Sequence, residues 1–121
     1  SFKIKAGSDK GDFGLTFGLE GEYNNRLGRA VIAFEPAKNR IACYNNVTNI
    51  LRYGSPLTTQ DFVYEKDHEY GVEVLYQNDL CTVYLDGQIA FTVRIPKTAE
   101  QNFAFYSNGA KAEIGEIAFY E

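Results

Sequence analysis

The residues that could do chemistry in this chain are few, and their types limit what it can do. There is one histidine, His68, in the charged run Glu65-Lys66-Asp67-His68-Glu69. A Ser-His-Asp triad would have to use it, and a solvated loop is a poor place for a general base. Paired carboxylates can run glycoside hydrolysis. Glu113 and Glu116 are close in sequence, but a regular strand places residues three apart on opposite faces. Two cysteines, Cys43 and Cys81, lie far apart. They allow a disulfide, but their apolar neighbours favour two buried thiols, and no spacing resembles a zinc site. Asp9 with Asp12, or Asp61 with Asp67, would hold an ion only by accident of folding, because no Asp-rich loop has calcium spacing. No catalytic residue, metal or cofactor is therefore expected. Asn46-Val47-Thr48 is a formal glycosylation sequon and reads here as a turn.

The remaining chemistry belongs to the tyrosines. An aromatic ring can stack on the apolar C–H face of a sugar while neighbouring polar groups take its hydroxyls. Tyr23, Tyr44, Tyr53, Tyr76, Tyr84 and Tyr106 are candidates, each weighed against service as a strand residue whose ring caps the core. The best local cluster is Tyr44, Asn45 and Asn46, followed by Arg52 and Tyr53. It gathers aromatic, amide and guanidinium groups about one predicted loop, against the plainer reading of ordinary turn chemistry. Tyr44, Asn45, Arg52 and Tyr53 are the candidate carbohydrate-binding residues.

The elements that must position these groups are strands. Leu80 to Ile95, LCTVYLDGQIAFTVRI, is two apolar-rich runs joined by Asp86-Gly87. That pair favours a type I′ hairpin, since both central residues need positive φ. A two-residue turn sets Leu85 opposite Gln88, Tyr84 opposite Ile89, Thr82 opposite Phe91 and Leu80 opposite Val93. Leu80, Tyr84, Ile89, Phe91 and Val93 then share one face, and Cys81, Val83, Leu85 and Ala90 the other. With both faces partly apolar, the hairpin is expected in the middle of a sheet.

Further strands are expected at Phe2–Ala6, Asp12–Leu19, Arg29–Glu35, Arg40–Asn45, Glu69–Tyr76, Asn102–Ser107 and Ala112–Tyr120, the last kinked at Gly115. Ile50–Tyr53 is a short apolar piece. In DFGLTFGL the large apolar residues fall on one face and Gly14, Thr16 and Gly18 on the other, where a second backbone or a ligand can come close. Turns are expected at Pro36–Asn39, Asn45–Asn49, Asn78-Asp79 and Asn108-Gly109, and loops at Gly21–Gly28, Gly54–Asp61 and Pro96–Gln101. Thr98–Gln101 is at most one helical turn. Many short strands with turn signals between them and no helical period call for an all-β chain, an antiparallel two-sheet sandwich. A concanavalin-like jelly roll would bring the first and last strands together.

Composition fits one domain. The chain has 121 residues, nine Phe, nine Tyr and a net charge of −4. That length can bury a core unaided. The scattered basic residues and negative charge argue against nucleic acid, and no apolar run is long enough for a membrane helix. The first residues read directly as a strand with no start Met, so residues 1–121 are read as a cut-out module or mature product.

The stretches LYQNDLCTVYLDGQIAFTVRIP and NFAFYSNGAKAEIGEIAFYE resemble the closing strands of the β-sandwich module at the C-terminus of glycoside hydrolase family 32 enzymes, the invertases, levanases and inulinases. FGLTFGLEGEYNNRLGRAVIAFEPAKNRIACY resembles the earlier part of that module. The likeness covers about three quarters of the chain. It departs where the family carries D-R-[ST] and this chain has Cys43-Tyr44-Asn45-Asn46. Tyr84-Leu85-Asp86-Gly87 also resembles hairpins of concanavalin-like and laminin-G-like sandwiches. The family's catalytic carboxylates lie in a separate propeller, in motifs such as N-D-P-N-G and R-D-P, which are absent here. The resemblance therefore implies an accessory module, inactive by itself, whose partners are the catalytic domain of its parent chain and fructan-type carbohydrate, in an extracytoplasmic setting. The alternatives are a free-standing lectin-like module and a structural or protein-interaction sandwich with no sugar site.

Overall fold

The structure, a computed structural model, describes residues 1–17, 28–47, 55–95 and 103–119; the side chains at 17, 28, 29, 45–47 and 103 are left aside. Ten strands are described: β1 (Phe2–Ala6), β2 (Asp12–Phe17), β3 (Gly28–Glu35), β4 (Arg40–Val47), β5 (Thr58–Asp61), β6 (Glu69–Gln77), β7 (Leu80–Leu85), β8 (Gln88–Arg94), β9 (Phe103–Asn108) and β10 (Ala112–Gly115). They form two five-stranded sheets, ordered β10-β1-β6-β7-β8 and β5-β4-β3-β2-β9. Every strand pairing is antiparallel. The chain is thus the expected antiparallel two-sheet sandwich, and β1 does pair with β10.

Alternation along the strands builds the core between the sheets. Phe2, Ile4 and Ala6 of β1, Phe13 and Leu15 of β2, Ile32 and Phe34 of β3, Ile41 and Cys43 of β4, and Cys81 and Val83 of β7 meet in one buried cluster. Phe13 stacks on Phe34 with ring centroids 5.4 Å apart, and Phe2 meets Phe105 edge-on at 5.1 Å. Central β3 is buried on both faces: Ala30 to Phe34 are each 0% exposed.

The close approach expected at the glycine face of β2 is real, and the visitor is a backbone. A Cβ on Gly14 would stand 2.0 Å from the Ile32 carbonyl oxygen. Only glycine lets β2 lie this near β3.

Several expectations are corrected. The Asp86-Gly87 turn has φ of 49° and 82°, as a type I′ turn needs. The first two predicted pairs, Leu85 with Gln88 and Tyr84 with Ile89, are present, but the register then shifts and Val83 pairs with Phe91. Ala90 is the extra residue of a β-bulge, and a one-residue slip exchanges faces. Phe91 and Val93 therefore join Cys81, Val83 and Leu85 on the core side, leaving Leu80, Tyr84 and Ile89 outside. The hairpin is not central either, because β8 is an edge strand. Residues 45–47 are not a turn but the end of β4, since β3 offers a partner as far as Gly28↔Val47. Thr58–Asp61 is an edge strand inside the expected loop. The last strand stops at Gly115, where Glu116 takes a φ of 51°. That reversal puts Glu113 and Glu116 on one side, against Lys5 at 3.9 Å and Lys3 at 2.9 Å. The Ile50–Tyr53 piece, most of the Gly21–Gly28 loop and the Pro96–Gln101 connection with its helical turn lie outside the described residues.

Cys43 and Cys81 are free thiols, both buried. Burial pushes each up to about 12, and Cys81 adds a Coulombic push on Cys43. Neither is a useful nucleophile at neutral pH, because the thiolate is the reactive form.

Two predictions follow from this packing. Gly14→Ala should cost more than about 2 kcal/mol in urea unfolding, because a strand backbone must move to admit the methyl group. The thiols should give the chain an alkaline limit. Unfolded thiols lose their protons from near pH 9 and folded ones only near 12. Their stability contribution is whole below 9 and falls as pH rises through that window, by about 1.4 kcal/mol per pH unit per thiol. Urea midpoints measured from pH 8 upward should fall more steeply in the native chain than in a Cys43→Ala, Cys81→Ala double variant.

Candidate functional site

The outer face of the β5-β4-β3-β2-β9 sheet carries an unusual polar cluster, and the β3–β4 hairpin builds it. Pro36, with φ already near the helical value, opens a single 3-10 turn over Pro36–Lys38, and Asn39 closes it at φ 49° with its N–H donating to the Pro36 carbonyl. Asparagine tolerates this left-handed position. The tight connection sets Arg40 directly opposite Glu35. Both point away from the core, since Phe34 and Ile41 beside them point in.

Arg40 Nε donates to Glu35 Oε1 at 2.7 Å, and Arg40 Nη2 donates to the Tyr44 hydroxyl at 3.2 Å. That hydroxyl lies 3.1 Å and 3.0 Å from the two Glu35 oxygens, to which it donates. Lys38 Nζ adds a longer contact of 3.7 Å. Tyr44 is four residues beyond Arg40 on the same face, about 13 Å along an extended strand. Its ring must lie back along β4 to reach Glu35, and it packs with Val31, Ala33 and Ala42 on this outer side. Tyr106 of β9 packs against the same group, and its hydroxyl donates to Asp12 Oδ2 at 3.1 Å. The register supplies the rest: Gly14 sits between Ala33 and Tyr106. Two tyrosines thus flank a floor of small residues, with Glu35, Arg40 and Asp12 along one end.

Glu35 is 4% exposed and Tyr44 3%. The Arg40 guanidinium is held charged beyond its usual range, first by its hydrogen bond to Glu35. Burial, then the bond to Glu35, pushes the Tyr44 phenol up, so it stays a hydroxyl. Such a cluster offers carboxylate acceptors, guanidinium donors and a fixed hydroxyl, the groups that recognise neighbouring hydroxyls on a ligand. A buried ion pair is weak evidence for stability. This one lies outside a core that is already complete, which makes it a functional candidate.

Of the four residues named from sequence, Tyr44 is in the cluster, held by its hydroxyl rather than presenting a bare ring. Asn45 lies in β4 opposite Ala30, with its side chain outside the described set, as are Arg52 and Tyr53 entirely. Sequence reasoning missed Glu35 and Arg40, while Tyr106 is one of the six tyrosines weighed as stacking rings and Asp12 is weighed only with Asp9 as an ion ligand. The first two had a signal, a charge of each sign at the two ends of a Pro-containing hairpin turn. Asp12 and Tyr106 are 94 residues apart, and nothing local announces that they meet.

The other tyrosines differ. Tyr76 donates its hydroxyl to the Ile95 carbonyl, Tyr84 stands on the outside of the other sheet, and Tyr23 is outside the described residues. His68 is half-exposed, 3.8 Å from Glu65, with its ring against Tyr70. Among the described residues no three His, Cys, Asp or Glu side chains gather as a metal site, and no helix is long and apolar enough to cross a membrane.

The fold and this cluster define the class: an antiparallel two-sheet sandwich with a polar network on the outside of one sheet. No protein-family model matches the chain, and no curated protein matches its sequence. Among solved structures it is similar to the carbohydrate-binding module CBM66 from Bacillus subtilis, with a TM-score of 0.73 and 14% identity, over 93% of this chain and 68% of that one. At that identity the likeness is one of fold.

The network makes its own prediction for stability. Glu35→Ala removes the buried carboxylate on which Arg40 and the Tyr44 hydroxyl converge and should cost about 3 kcal/mol. Tyr44→Phe should cost about 1–2 kcal/mol. Urea unfolding of both variants checks the order; a Glu35→Ala chain as stable as the native one would mean that the pair is not buried in solution.

Proposed function

We propose that this chain is a non-catalytic carbohydrate-binding module whose sugar site is the outer face of the β5-β4-β3-β2-β9 sheet, centred on Glu35, Arg40 and Tyr44. The observation that carries the reading is the nearly buried Glu35–Arg40–Tyr44 network on the outer side of a sheet, away from the core between the sheets. The shared fold with a carbohydrate-binding module supports it. The Arg40 guanidinium is the accessible member, held in place by Glu35, and as a fixed fork of donors it suits a pair of adjacent sugar hydroxyls. Tyr44 acts through its hydroxyl, as a positioning group. Asn45, Arg52 and Tyr53 follow it along the chain and belong to this proposal as further contacts.

The finer reading is a fructan-type sugar and a parent glycoside hydrolase. Its support is the sequence resemblance to the family 32 module. A module that holds polymeric carbohydrate works where the polymer is, so an extracytoplasmic setting belongs to the same proposal. A catalytic domain as second partner is favoured by Leu75 and Leu80, which are 45% and 39% exposed on the outside of the other sheet toward the Asn78-Asp79 turn.

Isothermal titration with fructose, sucrose, levan and inulin, with laminarin and galactosides as controls, tests both levels. Binding at millimolar concentration or better is expected for at least one glycan, and Arg40→Met should weaken it at least tenfold. Binding confined to laminarin or galactosides would overturn the fructan reading alone. No heat with any glycan would overturn the binding module and leave a packing module.

A further inference from the structure

The opposite sheet carries a second feature that the network above does not use. A depression of about 270 Å³ opens on the outside of β10-β1-β6-β7-β8, walled by Lys3, Glu73, Tyr84 and Glu116 and floored by Gly71 and Gly87. We infer that this depression is a second sugar subsite, sized for a single ring and built on Tyr84. The inference rests on the carbohydrate reading above and adds a second site to it.

The register explains the walls. Alternation along β7 sets Tyr84 on the outer face, between Glu73 on β6 and Ile89 on β8. The floor is open because it lacks side chains. A Cβ on Gly87 would meet nothing within 4 Å, and one on Gly71 only the Asp86 carboxylate oxygen at 3.6 Å. Asp86 is already engaged, accepting from the Gly71 N–H at 2.7 Å. Lys3 is fixed between Glu69 at 3.3 Å and Glu116 at 2.9 Å. Among the described residues the Tyr84 hydroxyl and the Glu73 carboxylate have no such partner, so one donor and one acceptor face the depression uncommitted.

The chemistry selects the ligand class. An aromatic wall beside uncommitted polar groups suits a ring with an apolar face and hydroxyl edges. Three carboxylates, Glu73, Asp86 and Glu116, outnumber the two ammonium groups of Lys3 and Ser1, so an anionic sugar or phosphate is disfavoured and a neutral one accepted. The volume lies below the ~300–1,000 Å³ of sites for drug-sized ligands. It fits one monosaccharide unit or a chain end. With one site on each sheet, the module could hold two chain ends and gain avidity on a branched polymer.

The test is an amide NMR titration of the intact chain with fructose, glucose and galactose in turn. Saturable shifts at Gly71 and Gly87 with at least one sugar are expected. Tyr84→Ala should weaken them at least tenfold while leaving shifts at Ala33 and Ala42, under the first site, unchanged. Glu73→Gln, an exposed position, gives the same reading should Tyr84→Ala disturb the fold. Shifts at Ala33 and Ala42 alone would overturn this subsite and keep the first. Shifts at Gly71 and Gly87 alone would support it and overturn the placing of the first. No shifts with any sugar would overturn both.

Discussion

The constraint on which the structure depends is that β3 has water on neither side. Its inner face, Ile32 and Phe34, completes the core between the sheets. Its outer face, Val31 and Ala33, lies under Tyr44 and beside Tyr106. A central strand buried twice over cannot slip, because a one-residue shift would put large side chains where only small ones fit. Gly14 tightens this further, since β2 approaches the Ile32 carbonyl more closely than any other residue would allow. The β3–β4 hairpin therefore leaves the sheet in one fixed position, and Glu35 and Arg40 at its end inherit that rigidity. A recognition site profits from such a base, because side chains held by packing lose little entropy when a ligand arrives.

The two sheets treat their outer faces differently. On the β1 sheet the outside is Lys3, Lys5, Glu69, Glu113 and Glu116 in exposed ion pairs, each worth little, giving way to leucine, threonine and isoleucine toward β8. It is a solvated surface, and the depression beside Tyr84 is open where Gly71 and Gly87 present no side chain. On the β3 sheet the charges are few and sequestered. One carboxylate takes donors from Arg40 and Tyr44 at normal hydrogen-bond length, so the pair is well satisfied, but an apolar replacement of similar volume would serve folding as well. A function that needs charge at that position accounts for it better than stability does.

Most of the architecture was legible in the sequence because it is written in local terms. Alternation gave β1, β2, β3, β6 and β9 nearly to the residue, and Asp86-Gly87 and Asn78-Asp79 gave their turns through the positive φ both require. The errors share a cause, which is that pairing is not local. The Ala90 bulge is invisible in LCTVYLDGQIAFTVRI, since both faces of that hairpin are apolar and either register would bury something. Thr58–Asp61 looks like a loop because an edge strand with one neighbour can be wholly polar. Glu113 and Glu116 read as opposite because nothing local announces that the strand ends between them. The candidate site was half legible. Tyr44 was found for its ring and matters for its hydroxyl, while Glu35 and Arg40 sat unremarked at the ends of a turn that sequence placed correctly.

That division says where chemistry should be sought in a small sandwich. Side chains on inner faces are committed to packing, and Cys43 and Cys81 show what happens to reactive groups there: burial holds both as inert thiols. Loops can carry polar groups, but the one holding His68 sets it half-exposed beside Glu65 and Tyr70, with no nucleophile or oxyanion donor against it among the described residues. What remains is the outer face of a strand anchored from beneath, near a tight turn that fixes register. Glu35, Arg40 and Tyr44 occupy such a place. Their mutual bonds hold the Arg40 guanidinium in one orientation, so its remaining donors are aimed in advance. The fold supplies the anchoring, and three residues on one hairpin are the groups that the proposed site draws on.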